Sequence, residues 1–244
     1  MPLVISDEML QAAGLNEQDA KIEIACRWFD AGKLTIGNAA RLAGLSETQF
    51  ESQLDLRGLP RYRYTADMLE NDVSVLKNLG RWGVPLIVVS DCSPSALHHL
   101  SLLSLCPNLY ESVVVPEAVE AELRQATTTC VAFEISDYPG FDVRRPHATA
   151  QSLAVPSDLD PGETEAITLA IELHADLLLM DERKGTEAAK HLGLQTIGVF
   201  GILLEAKRRG LIPDVLPLLD RLVKGLRFFV SPPLRQRIAQ LAGE

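Results

Sequence analysis

Two short apolar runs in this chain each stop at an aspartate. LIVVS (residues 86–90) is followed by Asp91, and DLLLM (residues 176–180) by Asp181. Continuous apolar runs of this length read as strands buried on both faces. Acids just past the carboxyl ends of parallel strands line the crevice where an open sheet binds its ligand. Two carboxylates at one sheet edge suit a hard cation. Mg²⁺ and Mn²⁺ take oxygen ligands, and neighbouring carboxylates are hard to keep ionised without a cation between them. Other acids can join them: Glu122 in PEAVEAEL, on the helix expected after a second strand, and Glu163 and Glu165 in DPGETEAI, at the start of a later helix. Glu182 directly follows Asp181. Each acid also has an ordinary use. Asp91 and Asp181 serve equally as loop residues or helix caps, Glu122 as a solvated helix residue, and Glu163 as a first-turn acid favoured by the helix dipole. Their joint occurrence in one alternating unit is what singles them out.

The elements that must position these acids follow from periodicity. Gly80, Gly83 and Pro85 punctuate the chain and place a boundary near residues 80–85. Beyond it, strands are expected at 86–90, 112–116, 141–145, 176–180 and 195–198, alternating with helices at 94–103, 117–125 and 162–174, and helices follow through 242. Such alternation implies a parallel sheet covered on both faces and built from right-handed crossovers. The first 60 residues read instead as short helices. Ile22, Ala25, Cys26 and Phe29 recur at helical spacing, and Gly32 closes that segment. Ile36, Ala39, Ala40 and Ala43 form an apolar face, Gly44 allows a tight turn, and Ser46 with Gln49 three residues on makes a capping box. Helix, Gly turn and capped helix are a helix-turn-helix signal. The second helix carries Glu47, Glu51 and Asp55, which repel phosphates, so DNA reading and plain packing both remain open. Between the two parts, RYRY (residues 61–64) precedes a helix at 66–79 with Met68, Leu69, Val73, Leu76 and Leu79 on its apolar stripe. The expected organisation is a helical domain at 1–60, a linker and docking helix at 61–84, and an α/β domain at 85–244.

Composition sets bounds on function. A net charge of −10 argues against broad, sequence-blind adhesion to nucleic acid, although a cluster of metal-binding carboxylates itself contributes negative charge. Cys26, Cys92, Cys106 and Cys130 form no C-x-x-C pair and, with the histidines, no zinc pattern; they read as reduced thiols. No stretch approaches the roughly 20 apolar residues of a membrane span, and the amino terminus lacks the basic start and apolar core of a signal peptide. A cytoplasmic protein is expected. No second aspartate follows Asp91 two residues on, as a phosphatase of the aspartate type would have. No Gly-rich phosphate loop follows the first strand either.

SDCSP, VVVPEAVEAEL, LDPGETEAITLAIELHADLLLMDERKG and LLEAKRRGLI closely resemble a PIN-like family of toxin-type proteins related to the VapC ribonucleases, over about residues 86–244. The resemblance implies a metal-dependent nuclease acting on RNA. It places Asp91, Glu122, Glu163 and Asp181 as the acids that hold Mg²⁺ or Mn²⁺, with Glu165 and Glu182 as rivals for the last two places. Many relatives carry a hydroxyl residue after the first acid. This chain has Cys92 there, and Ser93 is expected to supply the hydrogen bond instead. GKLTIGNAARLAGLSETQF followed by RGLP resembles a small helix-turn-helix antitoxin-type family often encoded beside PIN-like toxins.

The chain thus looks like a toxin and its antitoxin fused. That likeness implies RNA as substrate, operator DNA as a partner of the first domain, a homo-oligomer, and a nuclease restrained by its own amino-terminal part. Arg183, Lys184, Lys207, Arg208 and Arg209 are the expected phosphate contacts. Arg61 and Arg63 are the expected inhibitory arm, because a guanidinium pairs with carboxylates and competes with a metal. The competing reading is a DNA-binding regulator whose PIN-like part is catalytically silent and serves assembly.

Overall fold

In the computed structural model, which describes residues 4–79, 85–90, 92–125 and 131–244, the chain divides into two units, Met1–Pro60 and Arg61–Glu244.

The first unit is helical, and each helix begins where a capping side chain stands. Ser6 caps α1 (Asp7–Ala13), Asn16 caps α2 (Glu17–Asp30), Thr35 caps α3 (Ile36–Ala43) and Ser46 caps α4 (Glu47–Leu56). Each takes a backbone N–H three residues ahead that no turn of its own helix can satisfy. At Ser46 the expected capping box is complete: Ser46 Oγ accepts from Gln49 N at 3.2 Å, and Ser46 N donates to Gln49 Oε1 at 3.0 Å. Gly44, at φ +66°, closes α3 in a conformation that side chains resist. Ala25, Ala39, Ala40 and Ala43 are small enough for the helices to approach closely, and Phe29 meets Phe50 edge-on at 6.0 Å. Of the three acids on α4, Glu51 is buried.

The second unit runs β1 (Tyr62–Arg63), α5 (Ala66–Leu79), β2 (Leu86–Val89), α6 (Cys92–His99), α7 (Leu105–Leu109), β3 (Ser112–Pro116) and α8 (Glu117–Leu123). It continues with β4 (Phe141–Arg144), α9 (Pro161–Glu172), β5 (Leu177–Leu179), α10 (Arg183–His191) and β6 (Thr196–Ile197). The chain ends with α11 (Val199–Arg208), α12 (Leu216–Gly225), β7 (Phe228–Phe229) and α13 (Pro232–Ala242). Five strands form one parallel sheet in the order β4-β3-β2-β5-β6. The chain winds outward from β2 through β3 to β4, then returns to β2's other side for β5 and β6. The direction of winding therefore switches between β2 and β5, where open sheets bind ligands beyond their carboxyl ends.

Alternate residues of the central strands feed opposite faces, as the pleat demands. Ile87, Val89, Val113, Val115, Leu177 and Leu179 join one core cluster. Val88, Val114 and Leu178 join the other, beneath Ile167, Leu169 and Ala170 of α9.

Three details differ from the sequence expectation. The helix expected at 94–103 begins at Cys92 and stops at His99, because Ser101 adopts φ +63°, and α7 follows separately. Of residues 61–84, expected as a linker and docking helix, the described residues 61–79 supply β1 and α5 of the second unit. A small parallel ladder joins β1 to β7, Tyr62 opposite Phe228 and Arg63 opposite Phe229; two residues per strand leave no alternation to detect. His98 stacks on Phe133 at 4.0 Å. Cys26 and Cys106 are free buried thiols, and burial pushes the Cys106 thiol up to about 12. Among the described residues no helix is long and apolar enough to cross a membrane.

Candidate metal-dependent nuclease site

Parallel register brings the strand ends together. Val89 of β2 lies opposite Leu179 of β5, so the segment after Val89 and Asp181 leave the same sheet edge. Asp91 lies outside the described residues. Ser93, at the start of α6, crosses the switch point: its Oγ donates to Asp181 Oδ2 at 2.6 Å. The other oxygen of Asp181, Oδ1, accepts from Val199 N at 2.9 Å, at the start of α11. Both partners lie in the protein interior, with Asp181 only 4% exposed. A charged acceptor so buried holds its orientation through such bonds.

Glu122 and Glu163 sit along the same edge. Glu122, half-buried on α8, accepts from Gly162 N at 2.9 Å. Glu163, buried in the first turn of α9, accepts from Asp160 N at 3.1 Å, the return bond of a capping box. Glu165 accepts from Ala118 N at 2.9 Å and so caps α8. Glu182 is the residue from which α10 starts.

Three glycines make room for these carboxylates. A Cβ on Gly162 would stand 2.2 Å from Glu122 Oε2, one on Gly185 2.5 Å from Glu163 Oε1, and one on Gly198 2.8 Å from Asp181 Oδ1. None of the three has a positive φ, so it is space and not backbone conformation that requires glycine there. Close approach of backbone to a functional group is one of glycine's two uses. The glycine spacing in DPGE, DERKG and IGVFG was a signal of the site in the sequence, and reasoning from acids alone passed over it.

It also missed Asp72. This residue lies on the inward face of α5 among Met68, Leu69 and Val75, and is 2% exposed. Its Oδ1 accepts from Gly198 N at 3.0 Å; its Oδ2 accepts from Tyr64 Oη at 2.6 Å and from Gly201 N at 3.1 Å. A Cβ on Gly198 would stand 3.3 Å from Asp72 Oδ2, so Asp72 and Asp181 flank one glycine. Burial, above all, pushes the Asp72 carboxyl up to about 7; the charge of Asp181 adds to the rise, and the bonds from Tyr64, Gly198 and Gly201 oppose it. The missed signal was an acid four residues after Met68 and three after Leu69, on the apolar stripe itself.

The carboxylates fit a hard divalent cation in donor chemistry, offering oxygen only, and the glycines clear the backbone from around them. Among the described residues no three His, Cys, Asp or Glu side chains are close enough to share one ion; Asp91, the fourth expected ligand, is not one of them.

The expected phosphate contacts all make ion pairs. Arg183 pairs with Glu187 at 2.9 Å, Lys184 with Asp158 at 2.7 Å, and Lys207 with Asp214 and Glu244 at 3.1 and 3.2 Å. Arg208 and Arg209 both reach the fully buried Glu205 at 2.7 Å. In the expected inhibitory arm, Arg61 Cζ lies 5.1 Å from the centre of the Tyr62 ring and Arg63 Cζ 4.7 Å from that of Phe229. Tyr64 and Asp72, from the same segment, both come close to Asp181 around Gly198.

Residues 87–244 match the DUF3368 family, described as a PIN domain, and residues 1–78 match UPF0175, described as an uncharacterised protein family. The chain is similar to a UPF0175 protein of Aeropyrum pernix, 35% identical over 63 residues, which is 26% of this chain and 70% of that protein. No solved structure matches it. The chain therefore belongs to the PIN domain family, with a UPF0175 region before the PIN domain in an antitoxin-like fusion.

Proposed function

We propose that the PIN domain is a metal-dependent endoribonuclease and that the amino-terminal domain restrains it. The observation that carries the first part is the set of three acids at one sheet edge, each faced by a glycine that any side chain would drive into it. Asp91, Glu122, Glu163 and Asp181 hold Mg²⁺ or Mn²⁺. A divalent cation held by these carboxylates would supply Lewis acidity for phosphodiester hydrolysis. The chain's own part is orientation. Ser93 and Val199 N fix both oxygens of Asp181, Gly162 N orients Glu122, and Asp160 N orients Glu163. Arg183 and Arg208 are more than half exposed. The Arg183–Glu187 pair is exposed on both sides and weak, so Arg183 exchanges its carboxylate for an RNA phosphate at small cost, whereas Arg208 is held by the buried Glu205.

The fusion supports restraint: a UPF0175 region tethered to a PIN domain is held at high effective concentration beside it. Operator DNA as a partner of α3 and α4, and a homo-oligomer, complete the reading.

The test is cleavage of single-stranded RNA by the full chain with Mn²⁺. Asp181→Asn is expected to abolish it, as is a chelator, with the fold intact by circular dichroism; an unchanged rate in Asp181→Asn rejects the site. Restraint is tested by comparing the full chain with residues 61–244, since a cut at 85 removes β1 and α5 from the unit. Faster cleavage by the shorter chain is expected, and equal rates reject restraint.

A further inference from the structure

Residues 61–78 belong to the UPF0175 region by family, yet by packing they are part of the PIN unit. Tyr62, Tyr64, Met68, Leu69 and Val75 share a core cluster with Ile87, Val113 and Leu177 of the sheet. Within that segment Asp72 stands out, because it is a buried carboxylate where the stripe asks for an apolar side chain.

Its bonds explain the exception. Gly198 N donates to Asp72 at 3.0 Å, the next amide, Val199 N, donates to Asp181 at 2.9 Å, and Gly201 N returns to Asp72 at 3.1 Å. Amides at a helix start have no acceptor within the helix, and Gly198 has no side chain to offer one. The direction in which these amides point is therefore set by the two carboxylates that take them. A leucine at position 72 would fill the space but leave two buried amides and the Tyr64 hydroxyl without this acceptor.

We propose that Asp72 is a positioning residue for the nuclease site: it holds the first turn of α11 so that Val199 N meets Asp181 in the orientation that, with Ser93 on the other oxygen, aims this carboxylate at a bound cation. The UPF0175 segment thus builds part of the site. The inference rests on the nuclease reading above. Asp72 acts through Gly198, Val199 and Gly201, in the way that outer hydrogen-bond partners orient the ligands of metal sites.

The experiment uses the full chain, a single-stranded RNA oligonucleotide and Mn²⁺, with Asp72→Asn and Tyr64→Phe variants. Three readouts are taken: kcat and KM, Mn²⁺ affinity by electron paramagnetic resonance, and the Val199 amide resonance of metal-free protein. Asp72→Asn is expected to lower kcat and weaken Mn²⁺ binding by about ten-fold each, to shift the Val199 amide, and to leave KM for RNA unchanged. Tyr64→Phe, which keeps both amide bonds, is expected to move kcat, Mn²⁺ affinity and the Val199 amide the same way by less. Wild-type kcat and Mn²⁺ affinity in a folded Asp72→Asn variant overturn the proposal. Faster cleavage overturns it too, and makes Asp72 a restraint. Should Asp72→Asn not fold, Tyr64→Phe decides: wild-type kcat with an unshifted Val199 amide overturns the positioning role. A wild-type chain that cleaves no RNA with Mn²⁺ overturns the nuclease reading and this inference together, whereas an active wild type with unchanged variants overturns this inference alone.

Discussion

The helices of the first unit and α8, α10 and α11 of the second begin by different means. In the first, α1 to α4 each start at a Ser, Asn or Thr whose own side chain takes an amide three residues on. In the second, α8, α10 and α11 start at Pro116, Glu182 and Gly198 and make no such bond. Around the site, the amides are taken by acids from elsewhere in the chain: Gly162 N by Glu122, Ala118 N by Glu165, Val199 N by Asp181 and Gly198 N by Asp72. Capping in the first unit is private to each helix. At the helix starts around the site, the same bonds also hold the carboxylates, so helix stability and carboxylate orientation are coupled there.

Four substitutions test that contrast, from the largest expected effect to the smallest. Gly198→Ala drives a methyl into Asp181 and Asp72 together; overpacking of this kind costs about 1–3 kcal/mol. Both the melting temperature and Mn²⁺-dependent cleavage are expected to fall, and a variant that melts lower but cleaves normally would separate the two properties.

Glu205→Gln weakens a local pairing at the other end of α11 and is expected to cost about 1–2 kcal/mol, because Arg208 and Arg209 are partly solvated. Burial raises the Glu205 carboxyl, but the hydrogen bonds and charges of the two arginines outweigh it and hold the group below its ordinary value of 4.5. A lowered folded-state value means stability that is present above the ordinary range and lost as pH falls through the depressed one. Wild-type melting should therefore decline in acid more steeply than that of Glu205→Gln, and parallel pH curves would remove the pairing from the account.

Ser46→Ala deletes one private cap, worth about 1 kcal/mol. Amide exchange is expected to speed up in α4 while Val199 and Gly162 keep their protection; a change at those two amides would show that the first unit's caps are not private. Glu165→Gln removes the charge that caps α8 and is expected to cost about 0.5 kcal/mol. Its effect should appear in the amide shift of Ala118 while the global transition stays near that of the wild type.

The same contrast explains what could be read in advance. Local caps are written within four residues, so Ser46 with Gln49 located α4, and Gly44 located the turn before it. The central strands were legible because LIVV, SVVVP and LLL are apolar on both faces, and Asp181, Glu122 and Glu163 follow from where those strands and the next helices end. The bonds of Asp72 were not legible: its partners Gly198 and Gly201 lie 126 and 129 residues away, and no pattern within α5 reports them. The β1–β7 ladder escaped for a similar reason, since its strands have two residues each and pair across most of the chain.

That ladder bears on the order in which the protein is made. Tyr62 and Arg63 leave the ribosome long before Phe228 and Phe229, and α5 has neither β6 nor α11 to pack on until residues past 196 have followed. Pairing between such distant segments waits on loop closure and is intrinsically slow. The first unit draws its core from residues 22–59 alone, with none of these long separations. Asp181 and Asp72 gain their backbone partners only once Gly198, Val199 and Gly201 have been made, so the bonds around Asp181 wait on segments more than a hundred residues beyond Asp72.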